Sequence, residues 1–282
     1  MQTGRTYRKS VTPIISMPGL CYSFHRENNM VYIKSGSEAL DGFYVKEYPR
    51  FNNKKHWCSD IFGPRYSYTK APGPQALMVD MEPGEVVHPH FHGTAQFQLF
   101  PAGSGTIGRK NDPIQSLMVQ YKDHHTAYGP LVAGPNGLTF ISLRVFTGVS
   151  APVYLDDPDF REKLAPSKRR NWLSPRVELS TVSILRHREQ PKWEPLWDPA
   201  TIEDEMNAQV LRLGAGQTVS GPDPKRAAGY YVFVINGSMV HQGQDLSLWS
   251  VAVVEPTEKA FDITAGAKGL EALVLEFPRE YE

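Results

Sequence analysis

The stretch Met81–Gly108, MEPGEVVHPHFHGTAQFQLFPAGSGTIG, decides how the rest of the chain is read. It sets His90 and His92 two apart around Phe91. Side chains two apart on a β-strand share a face. A continuous strand would therefore turn His88, His90, His92, Thr94, Gln96 and Gln98 the same way. Imidazole nitrogen suits borderline transition metals, and an amide oxygen can complete such a set. Five of the nine histidines fall between His88 and His125, which predicts a site rather than scatter.

The spacing of Gly84, His90-x-His92, Gln96 and Gly103 resembles the first motif of the cupin family. Gln96 stands where the family usually carries glutamate. The resemblance implies an all-β fold of small antiparallel barrels, each a double-stranded β-helix, with a metal among inward-facing side chains. It also implies a fourth ligand on a later strand, for which His125, His124 and Tyr128 are the candidates. Tyr128 lies nearest the family's usual distance from the next turn, whereas His125 shares parity with Tyr121 and Asp123. The expected metal set is His90, His92, Gln96 and His125, with His124 as the alternative. The expected cofactor is one divalent transition metal, iron first, with manganese, nickel, zinc or copper also compatible. Neutral ligands leave the ion's charge uncompensated and strengthen it as a Lewis acid. Losing the carboxylate also removes the obvious general base, so Asp123 and Tyr128 become the candidate catalytic groups.

With 282 residues, the chain can hold two ordinary domains or one large β domain. Zero formal net charge gives no global field toward nucleic acid or an anionic membrane. Cys21 and Cys58 are too few for a disulfide framework, and free thiols in a reducing compartment are the simpler expectation. No stretch approaches the ~20 apolar residues of a membrane helix. The basic residues Arg5, Arg8 and Lys9 are not followed by an apolar run, so no signal peptide is expected. A cytoplasmic protein follows as the expectation. Twenty-three glycines and twenty-three prolines among many Val, Tyr and Phe favour strands joined by tight turns.

Four segments are expected. Residues 1–70 form an arm whose strands, near Met30–Lys34 and Gly42–Val45, pack on the barrels. A polar turn is expected at residues 51–55. Residues 71–149 form a metal-binding barrel with strands near Ala76–Met81, Ser116–Asp123 and Leu138–Val145, and a turn at Ala133–Gly137. Residues 150–180 are a charged, proline-rich connector with one helical turn near Pro158–Leu164, seated by Trp172, with Trp193 and Trp197 seating the segment that follows. Residues 181–282 repeat the first barrel: Gly84 is echoed by Gly216 and Gly137 by Gly269, both at an offset of 132 residues. The pattern resembles a bicupin. Gly221-Pro222-Asp223-Pro224 stands where the first copy has its histidines, so the second barrel is expected to hold no metal.

Three function classes fit. The foremost is a non-haem iron dioxygenase acting on a small oxygenated molecule, as in bicupins that cleave oxygenated aromatics or diketones. The others are a Lewis-acid isomerase, lyase or hydrolase, and a non-catalytic bicupin that binds a small molecule. A homodimer is expected, with neither nucleic acid nor membrane as partner.

Overall fold

Alternating apolar residues bounded by Gly and Pro build the described part of the chain mainly from strands. The structure is a computed structural model that describes residues 31–48, 50, 54–63, 73–145 and 150–279. The expectations for residues 1–30, including Cys21, and for 51–53 lie outside the described residues. In chain order the strands are β1 (Tyr32–Lys34), β2 (Tyr44–Tyr48), β3 (Lys54–Phe62), β4 (Gln75–Met81), β5 (Val86–Val87), β6 (His90–Phe91), β7 (Gln96–Ile107), β8 (Asp112–Gln115), β9 (Met118–Lys122) and β10 (Leu131–Arg144). They continue as β11 (Val153–Tyr154), β12 (Asn171–Leu173), β13 (Lys192–Pro195), β14 (Asn207–Leu213), β15 (Thr218–Ser220), β16 (Tyr230–His241), β17 (Gln244–Leu246), β18 (Val251–Val254) and β19 (Asp262–Glu276). Two short α-helices, α1 (Gly36–Asp41) and α2 (Val182–Arg186), and two single 3-10 turns, Pro199–Thr201 and Pro224–Arg226, complete the order of the described residues. No helix among them is long or apolar enough to cross a membrane.

The strands form two antiparallel systems of the same design. One runs β12-β9-β7-β10-β4-β3-β2, with β5 on β10 and β8 on β7. The other runs β1-β18-β16-β19-β14-β13, with β15 on β19 and β17 on β16. The common core of each is the same: β9-β7-β10-β4 matches β18-β16-β19-β14. Registers match too, since Leu138 faces Met81 and Gly103 in one copy while Leu270 faces Leu213 and Gly237 in the other. The fold is all-β, two cupin-type barrels in tandem.

Flanking segments are shared between the copies. The first described residues give β1 to the second barrel, while β2 and β3 extend the first. The connector supplies β12 to the first barrel's edge and β11 to β6, the histidine strand. Trp172 and Trp197 lie 5.9 Å apart against the core between the barrels.

That inter-barrel core comes from parity. On β7, Phe97 and Leu99 point out of the first barrel; on β16, Tyr231 and Phe233 point out of the second. These side chains meet in one buried cluster with Tyr121, Leu273, Leu275 and Phe277. The Tyr231 hydroxyl crosses over to the backbone carbonyls of Arg144, at 2.7 Å, and Gln75, at 3.1 Å.

Some sequence readings are corrected. The strong turn signal at Ala133–Gly137 is not a turn: β10 passes through it, with a register shift between Ala133 and Leu138 and Gly137 at φ 76°. The helical turn near Pro158–Leu164 is instead a run of overlapping β-turns, with N–H groups of Phe160, Glu162 and Leu164 bonded to carbonyls three residues back. After β1 ends at Lys34, Ser35 caps α1, where Ser35 and Glu38 form a capping box.

Gly103 and Gly237 occupy the same place in the two copies, at φ 80° and 70°. A Cβ on either would run into the carbonyl of Gly137 or Gly269 on the neighbouring strand. Gly103→Ala and Gly237→Ala should therefore each lower unfolding free energy by more than about 1 kcal/mol. Urea denaturation checks this, and an unchanged midpoint for either variant contradicts the shared geometry.

Candidate active site

The histidine strand is not continuous. β5, β6 and β7 are separate pieces, and His92–Ala95 form a bend between the last two. His88 is only half-buried, and it contributes its backbone: its carbonyl accepts from His90 Nδ1 at 2.7 Å. His92 Nδ1 likewise donates to the carbonyl of Ser150, at 2.8 Å, at the start of the connector. A carbonyl only accepts, so both neutral rings carry their proton on Nδ1 and keep a lone pair on Nε2. Both rings are buried and 5.0 Å apart, and both line one cavity of about 50 Å³.

Burial pushes the His90 imidazole down to about 3; the His88 carbonyl pulls the other way, while Lys122 and Arg144 depress it further. His92 is also held well below the usual range, first by burial and then by Arg144, His90 and Lys122. Both are neutral near pH 7.

Tyr128 reaches the pair from the next crossing of the chain. Its backbone makes a two-way bridge with His90, at 3.1 and 3.0 Å, which puts the two side chains on the same side. Its hydroxyl lies 3.2 Å from His92 Nε2 and accepts from Gln96 Nε2 at 3.0 Å. Gln96 Oε1 in turn accepts from Arg144 Nε at 3.0 Å and Nη2 at 2.5 Å. Arg144 Nη2 also lies 3.2 Å from His92 Nε2, and Nη1 donates to Gln75. Lys122 completes the group: its Nζ donates to Gln98 Oε1 at 2.8 Å and sits 3.2 Å from the Tyr128 ring centre.

The structure does not bring His125 or Asp123 to this group. His125 has φ 52°, and although its N–H donates to the His92 carbonyl, its ring lies 5.6 Å from Phe91. Phe91 points away from its two histidine neighbours, so the His125 ring is on the far side, beside His124 and Arg169. Asp123 accepts from the Tyr121 hydroxyl at 2.8 Å and from the Arg170 guanidinium at 2.8 Å. Those bonds anchor the connector and leave the carboxylate committed away from the cavity.

Sequence reasoning placed Gln98 on the histidine face but missed Arg144, Lys122 and Gln75. The available signal was parity. Leu117, Val119 and Tyr121 share one face, so Gln120 and Lys122 share the other, and Gln96 and Gln98 do the same on β7. A polar face reads as solvent by default, whereas here Gln96, Gln98, Gln120 and Lys122 are all buried inside the barrel.

The donor set can be tested against a divalent metal. Among the described residues no three His, Cys, Asp or Glu side chains gather as a metal cluster. The imidazoles of His90 and His92 nevertheless fit in kind, because each is neutral, buried and oriented from Nδ1 as metal-bound histidines are. Gln96 oxygen and Tyr128 oxygen are the further donors within reach. A metal would compete with Arg144 for the His92 lone pair and the Gln96 carbonyl.

Neutral burial of these rings has a stability consequence. Unfolded, each protonates near 6.5, but His90 in the folded chain does so only near 3. Between those values the unfolded state binds more protons, so stability falls as pH falls. Chelator-treated protein should lose up to about 1.4 kcal/mol per pH unit for each histidine on going from pH 6.5 toward 4.5. Glu276, whose carboxyl burial raises, works in the opposite direction. The slope difference between wild type and His90→Asn isolates the histidine; parallel pH profiles would show that this ring is not held neutral.

No family model matches the chain, and no curated protein matches it. Solved structures do. A protein of Nostoc punctiforme described as a candidate dioxygenase superposes with a TM-score of 0.57 at 10% identity, covering 93% of this chain and 87% of that one. Oxalate decarboxylase from Bacillus subtilis gives 0.53 at 11% identity, over 93% and 80% of the two chains. The pirin YhhW of Escherichia coli, in complex with nickel(II), gives 0.50 at 10% identity, over 88% and 99%. At these identities the likeness is one of fold, and all three are cupin structures that span nearly this whole chain.

Proposed function

We propose that this chain is a metal-dependent cupin enzyme, of the dioxygenase type, that binds one divalent transition metal in its first barrel and acts on a small oxygenated molecule. The observation that carries the reading is the pair of buried imidazoles, each pinned at Nδ1 by a backbone carbonyl, with Nε2 turned to one cavity. His90 and His92 would hold the metal, with Gln96 and Tyr128 as further donors. Iron is the first candidate; the nickel in the pirin complex supports a divalent ion without choosing among metals. When bound, an open-sited ferrous ion supplies a place for substrate and dioxygen together.

The chain's own residues prepare that chemistry. Leu77, Val79, Leu131 and Phe140 line one part of the cavity and keep bulk water out. Tyr128 is the group placed to move a proton, because its hydroxyl sits between Gln96 Nε2 and His92 Nε2. Asp123, bound to Arg170, is not available for that task.

The second barrel supports a single metal per chain. Its interior carries Tyr230, Val232 and Val234 in an apolar cluster. These residues take the β16 places that correspond to Gln96, Gln98 and Phe100 on β7.

Untagged protein should contain about one equivalent of transition metal, and the double variant His90→Ala/His92→Ala should contain almost none. Gln96→Ala should weaken retention by roughly 10-fold or more. Elemental analysis decides this part: two equivalents, or full retention in the double variant, would overturn the single-site reading. Oxygen uptake on a panel of small oxygenated substrates tests the reaction type. Full turnover under strict anaerobiosis would replace the oxygenase reading with Lewis-acid chemistry.

A further inference from the structure

The open end of the second barrel carries a cavity far larger than the one at the histidines. It holds about 610 Å³, and Trp193, Ile202, Asn207, Gln209 and Glu276 are among its lining residues. One wall is the segment Ser220–Asp223, which stands at the constant offset from His88–Phe91 of the first copy. Glu276, near the end of the last strand, pairs in register with Asn207 on β14 and Tyr230 on β16. These three form the end row of the barrel, and Val274, Gln209 and Val232 form the next row inward. Tyr230 and Val232 belong to the apolar interior, so the same parity turns Glu276, Asn207 and Gln209 inward as well.

Glu276 is the unusual group in this cavity. It is 9% exposed, and Asn207 Nδ2 donates to its Oε1 at 2.9 Å. Among the described residues its Oε2 receives no hydrogen bond, and the carboxyl makes no ion pair. Burial raises this carboxyl above its ordinary value, while the Asn207 bond and the charge of Arg226 pull it back. A cation brought against it would favour the charged form. The other charges of the cavity lean the same way. Asp204 is taken by Arg170 and Lys168, but the exposed Glu205 and Asp223 set two carboxylates against the guanidinium of Arg226.

We propose that the open end of the second barrel is a second binding site, one that takes a small primary ammonium with an apolar body. A primary ammonium has three N–H donors and no acceptor. The cavity answers with Glu276 Oε2, Asn207 Oδ1 and the amide oxygen of Gln209. Asn207 presents its oxygen because its nitrogen is committed to Glu276. The bond to Glu276 is charge-assisted and formed where water is largely excluded, so it is the strongest of the three. Trp193, half-buried, and Ile202 give the apolar body a surface, and the indole can also face the charged nitrogen. Nothing in this site depends on a metal, so it stands apart from the reading of the first barrel.

The test compares phenethylamine with phenethyl alcohol, which share a body and differ in charge. Calorimetric titration and thermal shift are run on the full chain at neutral pH and fixed ionic strength. The amine should bind saturably, and the alcohol roughly 10-fold or more weaker. Glu276→Gln keeps the shape and removes the charge, and it should weaken the amine by roughly 10-fold or more, as losing one member of a buried charge pair does. Arg226→Ala removes an exposed competing cation and should tighten the amine by roughly 2- to 5-fold, the range of an exposed charge interaction. Should Glu276→Gln fail to fold, the amine–alcohol comparison in wild type and the arginine variant still decide. Equal binding of amine and alcohol, undiminished affinity in folded Glu276→Gln, or weaker binding in Arg226→Ala would each overturn the proposal. The double variant His90→Ala/His92→Ala should bind the amine as wild type does, whether or not the first barrel proves to hold metal. Loss of amine binding in that variant would put the amine in the first barrel and overturn the second site.

Discussion

A guanidinium inside a β-barrel has to be solvated by protein, and the arrangement around Arg144 meets that constraint. Its side chain organises the site by holding Gln96 Oε1, Gln75 and His92 Nε2. Holding the Gln96 oxygen fixes which way the amide faces, so Gln96 Nε2 points at the Tyr128 hydroxyl. That hydroxyl can then donate to His92, whose Nδ1 is already committed to Ser150. One cation thus sets the direction of every proton in the chain of bonds. The backbone carbonyl of the same residue accepts from Tyr231 and ties the site to the second barrel. Packing between barrels and polarity within one therefore meet at a single residue.

The two copies show how one frame serves two purposes. The turn glycines, the close approach at Gly103 and Gly237 and the four central strands are conditions of closing the barrel, and they recur. What differs is the inward-facing parity. One interior holds Gln96, Gln98, Gln120 and Lys122, whereas the other holds Tyr230, Val232, Ala252 and Val254. An apolar interior needs no hydrogen-bond partners and is stable by burial alone. A polar interior depends on a connected network, and here Gln120 Oε1 is left without a hydrogen-bond partner among the described residues. The second barrel contributes its outer face to the shared core, and the first is left with room for chemistry.

The frame was legible in the sequence because its causes are local: glycines where positive φ is needed, apolar alternation and a constant offset between copies. The histidine pair was legible as well, since spacing two on one strand is a local fact. The rest of the site depends on tertiary choices. Whether the face carrying Lys122 looks at water or at a barrel interior depends on which side closes, and the strand alone does not say. Arg144 lies 52 positions from His92 along the chain and reaches it only because β10 pairs with β7. The connector's part was hidden for the same reason, because Ser150 orients His92 through a carbonyl that any residue could supply.

The segment from Asp123 to Tyr128 shows why residue type misleads where backbone geometry decides. Histidine is the better ligand at neutral pH, and parity on an extended strand favoured His125. Strand geometry, however, stops at Lys122. At His125 the backbone turns left-handed, its N–H caps the His92 carbonyl, and its ring swings to Phe91. The chain then comes back antiparallel to His90 at Tyr128, which delivers a phenol, not an imidazole, to the cavity. A phenol can give up a proton as well as lend an oxygen, and it presents an aromatic face to the Lys122 ammonium. A third imidazole would offer no such hydroxyl between Gln96 and His92. The turn at His125 therefore changes the chemistry available to the site, and it also accounts for how a buried lysine is tolerated so close to the histidines.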